Sequence, residues 1–349
     1  MSFAQQLLTW FDEFGRHDLP WHQPRTAYHV WVSEIMLQQT QVQTVMPYYR
    51  RFMTSFPDIN ALANATTDEV LAHWAGLGYY ARGRNLHKAA QIIQTEYGAE
   101  FPQDYDQIVA LPGIGRSTAG AILAQAYLQR YAILDGNVKR VLSRYFAVEG
   151  WPGDKKVETQ LWQMAETLLA DVPDNRLADY TQAMMDLGAS LCSRTRPGCE
   201  YCPLKSDCQA WLCNRVKDFP IPKAKKTIPT RETWMLLKFN AQEQIALQRR
   251  PDKGIWGGLY SLPQFDSKNA LLLSRVDLNS LLEWQVIKHT FSHYHLMIQP
   301  VLARANAQVA ESDQDETEQW FDLKAALTLG LPAPIKVLIE KTLEEKPFG

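Results

Sequence analysis

Apolar residues in the first 220 positions recur at spacings of three and four. Val30, Trp31, Ile35 and Leu37 do so, and again Val138, Val141 and Leu142. This is the period of helices that bury one face. Prolines at 20, 24, 57, 112, 152 and 173 predict breaks between them. The segment FPIPKAKKTIPTRE then gathers Pro220, Pro222 and Pro229 around Lys223, Lys225 and Lys226, a semi-rigid basic linker. Beyond it come short apolar runs, TWMLLKF, QIALQRR, GLYSLPQF and HLMIQPVLARA, which read as strands, with Gly257-Gly258 as a turn or bulge. Helical spacing returns near 323–329 and 334–344. The pattern predicts a mostly α domain over 1–220, a linker over 221–233 and an α/β (α+β) domain over 234–349.

Length agrees with two domains, since 349 residues is about twice the usual domain size. With 46% hydrophobic and 21% charged residues, disorder and collagen-like repeats are excluded. No apolar run approaches the ~20 residues that span a bilayer. MSFAQQLLTWFDEF lacks the basic and then apolar regions of a signal peptide, so a cytoplasmic protein with no membrane association is expected. Net charge is −2, and neither domain is strongly basic. Any contact with nucleic acid must rest on local basic patches and backbone donors. ESDQDETE (311–318) reads as an exposed acidic loop.

Cys192, Cys199, Cys202 and Cys208 fall within 17 positions, separated by six, two and five residues, with Cys213 left over. Four thiols so placed in a reducing compartment point to a metal. Zinc sites usually pair their cysteines as two short knuckles. One compact run with a single C-x₂-C suits an iron–sulfur cubane better. Both readings stay open on spacing.

DYDQIVALPGIGRSTAGAILAQAY reads as helix, tight turn, helix. Gly113 and Gly115 can take positive φ without a Cβ penalty, and Ser117 or Thr118 can serve near the next helix start. Such a turn aims backbone N–H groups outward and forms a phosphate site. In ILDGNVKRVL, Asp135 looks like a helix cap. Accepting backbone N–H bonds should lower its pKa and keep it ionised, although a purely structural cap explains the residues as well. YHVWVSEIMLQQTQVQTVMPYY reads as one apolar helix, with Glu34 three and four residues from Val30, Trp31 and Leu37. A carboxyl group on or beside that face should have the raised pKa of a general acid. Together Glu34 and Asp135 suit a reaction in which one carboxyl donates a proton and the other stabilises an oxocarbenium ion. GLGYYARGRNLHKAA sets Tyr79 and Tyr80 beside Arg82, Arg84 and Lys88. Aromatic groups next to cations suit intercalation with phosphate contact, and two core tyrosines with a solvated face fit equally.

These strings, in order and over nearly the whole chain, resemble the endonuclease III and MutY branch of the helix-hairpin-helix DNA glycosylases. LPGIGRSTAGAI resembles the hairpin, the cysteine run the [4Fe–4S] loop, and SEIMLQQTQV and GLGYYARGRNLHKAA the MutY members in particular. The resemblance implies one [4Fe–4S] cluster per chain on Cys192, Cys199, Cys202 and Cys208. It implies Glu34 and Asp135 as catalytic groups, with Asn137 near the aspartate. Gln39 would wedge into the base stack with Gln38 beside it, and Tyr79 would insert next to the oxidised guanine. Trp21 and Gln182 would line the adenine pocket, and Arg82, Gly113, Gly115 and Ser117 would lie at the DNA. The implied activity is base excision repair by a bacterial monomer in the cytoplasm and nucleoid. It would remove adenine opposite 8-oxoguanine or guanine in double-stranded DNA and so prevent G:C to T:A transversions.

Two departures bear on that activity. Bifunctional relatives carry a nucleophilic lysine where this chain has Ser117, which implies a monofunctional glycosylase. His17 stands where some MutY members have a lysine able to trap the abasic sugar. The rival readings are an endonuclease III-like glycosylase/lyase for oxidised pyrimidines and a non-enzymatic iron–sulfur DNA-binding protein. The second domain resembles the MutT (Nudix) fold, but LYSLPQFDSKNALLL after Gly257-Gly258 has no glutamate to hold magnesium. It should be silent as an enzyme and act as a reader. In HTFSHYH, Phe291, Ser292 and His293 match the family's lesion-sensing loop; a histidine-rich hairpin of no special purpose is the plainer alternative.

Overall fold

Helix Phe3–Phe14 begins with a capping box: Ser2 Oγ accepts the Gln5 amide N–H, and the Gln5 side chain accepts the Ser2 N–H. Each end satisfies a donor that the first turn leaves open. The computed structural model describes residues 1–223, 227–251, 253–274, 276–305 and 317–347. Lys225, Lys226 and most of ESDQDETE lie outside the described residues. Leu7 and Phe11 of the first helix enter a core with Leu134, Val138, Leu142, Leu161 and Leu187. These come from helices Gly136–Tyr145, Lys155–Leu169 and Leu177–Ala189 and the segment before them. Half-buried Cys192 and Cys202 pack on the same core.

The single apolar helix expected through SEIMLQQTQV is two helices, Ala27–Leu37 and Val42–Ser55. Gln39 breaks it, with φ of 58°, in the left-handed region that a helix cannot continue through. The break turns Gln38–Gln41 into a loop. The hairpin forms as expected from helices Tyr105–Ala110 and Arg116–Tyr127.

The second unit is built on one sheet. Its strands are Thr230–Phe239 (β1), Ile245–Arg249 (β2), Tyr260–Ser261 (β3), Gln264–Phe265 (β4), Leu282–Glu283 (β5), Ile287–Thr290 (β6), His295–Arg304 (β7) and Glu318–Phe321 (β8). The order is β3-β2-β1-β7-β5, with β4 on β1, β6 on β7 and β8 on β2. β1 and β7 run parallel at its centre, from Thr230 opposite His295 to Phe239 opposite Arg304. There Met235, Leu236 and Leu237 form a continuous buried apolar run, as expected of a strand covered on both faces. GLYSLPQF, which reads as one strand, is two, because Leu262-Pro263 turns a corner and Pro263 has no N–H to pair. Helix Ala333–Glu345 lies where helical spacing returns.

By contacts the chain divides into Met1–Asn64 with Asn85–Lys225, and Ala65–Arg84 with Lys226–Gly349. A boundary near 220 misses the excursion of Ala65–Arg84. That excursion is tied into the second unit by Asp68 to Arg249 at 3.2 Å and Tyr80 Oη to the Leu331 carbonyl at 3.1 Å. The Arg84 guanidinium also donates to the Gly257 carbonyl.

Candidate active site

Glu34 occupies the last turn of Ala27–Leu37, where Val30, Trp31, Ile35 and Met36 are all buried. It opens on a cleft of about 980 Å³ that Trp21, Gln38, Gln39, Ser117, Asp135, Asn137 and Gln182 also line. Burial pushes the Glu34 pKa up to about 8, and the nearby Asp135 carboxylate adds to the rise. The Gln125 side-chain amide, 3.5 Å from Oε1, opposes it. This is the state expected from the apolar helix face.

Asp135 caps helix Gly136–Tyr145, as expected. Its Oδ1 accepts the Val138 amide N–H at 2.8 Å, and its Oδ2 accepts from the Asn137 side chain at 3.2 Å. The expected lowering of its pKa is corrected. Burial raises it, and the bonds from Val138 and Asn137 and the charge of Arg140 offset only part of that. The hydrogen bonds are legible in the sequence, and the desolvation is not. The two carboxyls therefore differ in how strongly their surroundings oppose the rise, since several donors hold Asp135 and one long contact holds Glu34.

Of the two hairpin glycines, only Gly113 takes positive φ, at 81°, with Asn85 Cβ 2.9 Å from where a side chain would begin. Gly115 is extended (φ −98°) and is itself the cap of Arg116–Tyr127, with no side-chain bond to the first turn. Ser117 does not cap. Its Oγ accepts the Leu134 amide N–H at 2.9 Å, which ties the hairpin to the residue before Asp135.

The back of the cleft is a buried polar chain. His22 Nε2 meets Gln182 Oε1 at 3.1 Å, and Gln182 Nε2 donates to Asp186 Oδ1 at 2.7 Å. Asp186 accepts the Arg16 backbone N–H at 2.8 Å and its Nε at 2.9 Å. Burial, with the Arg25 charge, drops His22 to about 4, so it is neutral at pH 7. Trp21 is buried with its ring edge-on to Tyr49 at 5.4 Å. Also lining the cleft are Gln38, which caps its helix, and Gln39, which is exposed.

Cys192, Cys199, Cys202 and Cys208 line one apolar cavity with Leu187, Leu191, Leu204 and Trp211, whereas Cys213 is exposed and outside it. Buried Arg144 braces the loop through the Ser193 carbonyl at 2.8 Å and Cys192 Sγ at 3.4 Å. Arg140 reaches from the Cys192 carbonyl to Asn137 Oδ1, both at 2.8 Å. Among the described residues, no three His, Cys, Asp or Glu side chains stand in ligating geometry. What the structure shows is four thiols gathered on one cavity.

Residues 32–167 match the HhH-GPD superfamily of base excision DNA repair proteins, and residues 233–341 match the NUDIX domain. An adenine DNA glycosylase of Buchnera aphidicola (from Acyrthosiphon pisum) is 39% identical over 342 residues, 97% of each chain. The chain belongs to the adenine DNA glycosylase family. The human adenine DNA glycosylase is 36% identical, over 99% of this chain and 75% of its own. A thermostable thymine-DNA glycosylase structure superposes with a TM-score of 0.55 at 27% identity, over 60% of this chain and 95% of its own. As an adenine DNA glycosylase, the chain is a DNA N-glycosylase of base excision repair, with a helical HhH-GPD domain and a Nudix-like domain. No helix among the described residues is long and apolar enough to cross a membrane.

The second unit carries the other expected residues. Tyr79 is exposed, with φ of 48°, whereas Tyr80 is buried. Thus the structure separates the two tyrosines that the sequence could not. Arg82 is committed locally. Its guanidinium lies over the rings of Trp74 and Tyr79 and donates to the Leu77 and Gly78 carbonyls at 3.1 and 3.2 Å. Burial draws its pKa down to about 10. Phe291, Ser292 and His293 form the tip of the β6–β7 hairpin, closed by the Phe291 N–H on the Tyr294 carbonyl at 2.9 Å. Ser292 and His293 are exposed there. Sequence reasoning missed His22, Asp186, Arg16, Arg140 and Gln125. Only Gln125 carried a signal, as a polar residue at the end of the apolar run AGAILA.

Proposed function

We propose that this chain excises adenine paired with 8-oxoguanine or guanine in duplex DNA and leaves an abasic site. The observation that carries the reading is Glu34, a carboxyl raised to about 8 on the wall of the cleft that Asp135 shares. Adenine turned out of the helix would enter beside Trp21 and Gln182. Protonated Glu34 gives its proton to the base, the N-glycosidic bond breaks, and the Asp135 carboxylate faces the sugar cation. Glu34, now ionised, takes a proton from the water that adds. Ser117 bonds the Leu134 amide and offers no amine for a Schiff base. The first-turn N–H groups after Gly115 have no side-chain cap and suit a phosphate. A duplex with adenine opposite 8-oxoguanine should be cut only after alkali treatment. A strand left whole after alkali overturns the activity, and cutting without alkali overturns the monofunctional assignment.

Lesion preference is assigned to Ser292 and His293. One or two hydrogen bonds to a group that guanine lacks are worth roughly ten- to a hundredfold. Ser292→Ala with His293→Ala should narrow the preference for 8-oxoguanine over guanine by about that factor, with excision opposite guanine little changed. Single-turnover excision and affinity on both duplexes measure it. An unchanged preference would place the reader at Gln38, Gln39 and Tyr79.

The cysteine cavity suits a [4Fe–4S] cluster, because four half-buried thiols line one apolar space that a fifth does not enter. Cys192, Cys199, Cys202 and Cys208 would hold it, and it would fix the loop that carries Arg194, a residue of the cleft wall. The purified protein should be yellow-brown with about four irons per chain, and Cys213→Ser should keep both. Stoichiometric zinc without visible absorbance would refute the cluster, and loss of colour in the Cys213 variant would refute the ligand set.

A further inference from the structure

Gln125 stands in the second hairpin helix, Arg116–Tyr127, which packs on the glutamate helix Ala27–Leu37 more extensively than any other described helix pair does on each other. It is 4% exposed, at the end of the run Ala119–Ala124, whose members are all buried. A buried amide is costly unless both ends are bonded. Here one end is. Nε2 lies 3.5 Å from Glu34 Oε1, while Gln125 Oε1 is buried with no hydrogen-bond partner. Nothing else in the helix explains a polar side chain at this depth. A leucine or methionine would fill the same space without leaving an orphan acceptor.

We propose that Gln125 is a positioning residue for Glu34: its amide engages Oε1, so that the other carboxyl oxygen carries the catalytic proton into the cleft. The inference rests on the reading of Glu34 as the general acid. An amide N–H suits this task because it can donate to a carboxylate and equally to the unprotonated oxygen of a carboxylic acid. It therefore serves both states that Glu34 passes through as the base leaves and water adds. The charged side chains on the same cleft are Asp135, Arg16, Arg140 and Arg194. Gln125 is the neutral group that bonds Glu34 directly.

The test is the pH profile of single-turnover excision on a duplex with adenine opposite 8-oxoguanine, in the parent chain, Gln125→Leu and Gln125→Met. Losing a donor to the ionised form raises the Glu34 pKa further. The alkaline limb should move up by roughly half a unit to one unit. The plateau rate should fall about three- to tenfold as the proton loses its fixed position. Duplex affinity should stay at the parent value. Two variants of different shape guard against a packing defect peculiar to one. A lower rate with an unmoved limb would mean that Gln125 only packs, and the proposal fails. Parent-like behaviour in both variants overturns it as well. If the parent has no alkaline limb that depends on Glu34, the general-acid reading itself has failed, which is a distinct result.

Discussion

Glu34→Gln is expected to lose adenine excision by about a thousandfold or more while keeping its affinity for the lesion duplex. General acid–base help from one side chain is worth roughly 10²- to 10⁴-fold, and the proposed mechanism uses Glu34 twice. Glutamine keeps the shape and a hydrogen-bonding end, so the cleft should survive. The pH dependence carries a sign. The acid form is the active one and its pKa is about 8, so the parent rate should fall as pH rises through that value. Stability follows the same group. Folding raises this pKa, so the protonated carboxyl's contribution is complete below the unfolded carboxylate range and is lost as pH passes the folded value. Glu34→Gln escapes that loss and should melt at or above the parent temperature in alkaline buffer. A variant that still released adenine at near-parent single-turnover rate would remove Glu34 from the mechanism.

How far the sequence led depends on what each signal measures. Period marks burial, and it put Glu34 beside the apolar face, because Val30, Trp31 and Leu37 on one helix leave a carboxyl little water. Turn chemistry is local, and it placed the Asp135 cap and the positive φ of Gly113. Where the outcome hinged on non-local packing, the reading ran short. The Asp135 pKa was misjudged because its hydrogen bonds lie within three residues, whereas its desolvation comes from elements far along the chain. Gln39 looked like a helix interior, since glutamine is a fair helix former, and only the backbone reveals the break. The polar chain from His22 to Asp186 spans 160 residues at one link alone, beyond any window. Tyr79 and Tyr80 are neighbours in sequence, and it is a residue 251 positions further on, Leu331, whose carbonyl takes the buried Tyr80 hydroxyl.

Asp135→Asn separates the two roles that the sequence left tied. Asparagine caps helices about as well as aspartate, and its Oδ1 can still accept the Val138 N–H, so the fold should hold. Asp135→Ala removes the cap too and should cost roughly 1 kcal/mol, a fall of about 2–4 °C in Tm for a domain of this size. If Asp135 only caps, the asparagine variant excises adenine like the parent and the alanine variant is merely less stable. If its charge faces the sugar cation, both variants lose activity alike, by about a hundred- to a thousandfold or more, the scale of one well-placed electrostatic partner in a water-poor site. The second result is expected. The raised pKa of Asp135 does not weaken the case, since the carboxyl keeps two donors and the charge of Arg140 in its favour. Loss of the negative charge also removes one of the causes that lift Glu34. The residual activity of Asp135→Asn should therefore decline at lower pH than that of the parent. A residual rate with the parent's alkaline limit would show that the two carboxyls do not sense each other.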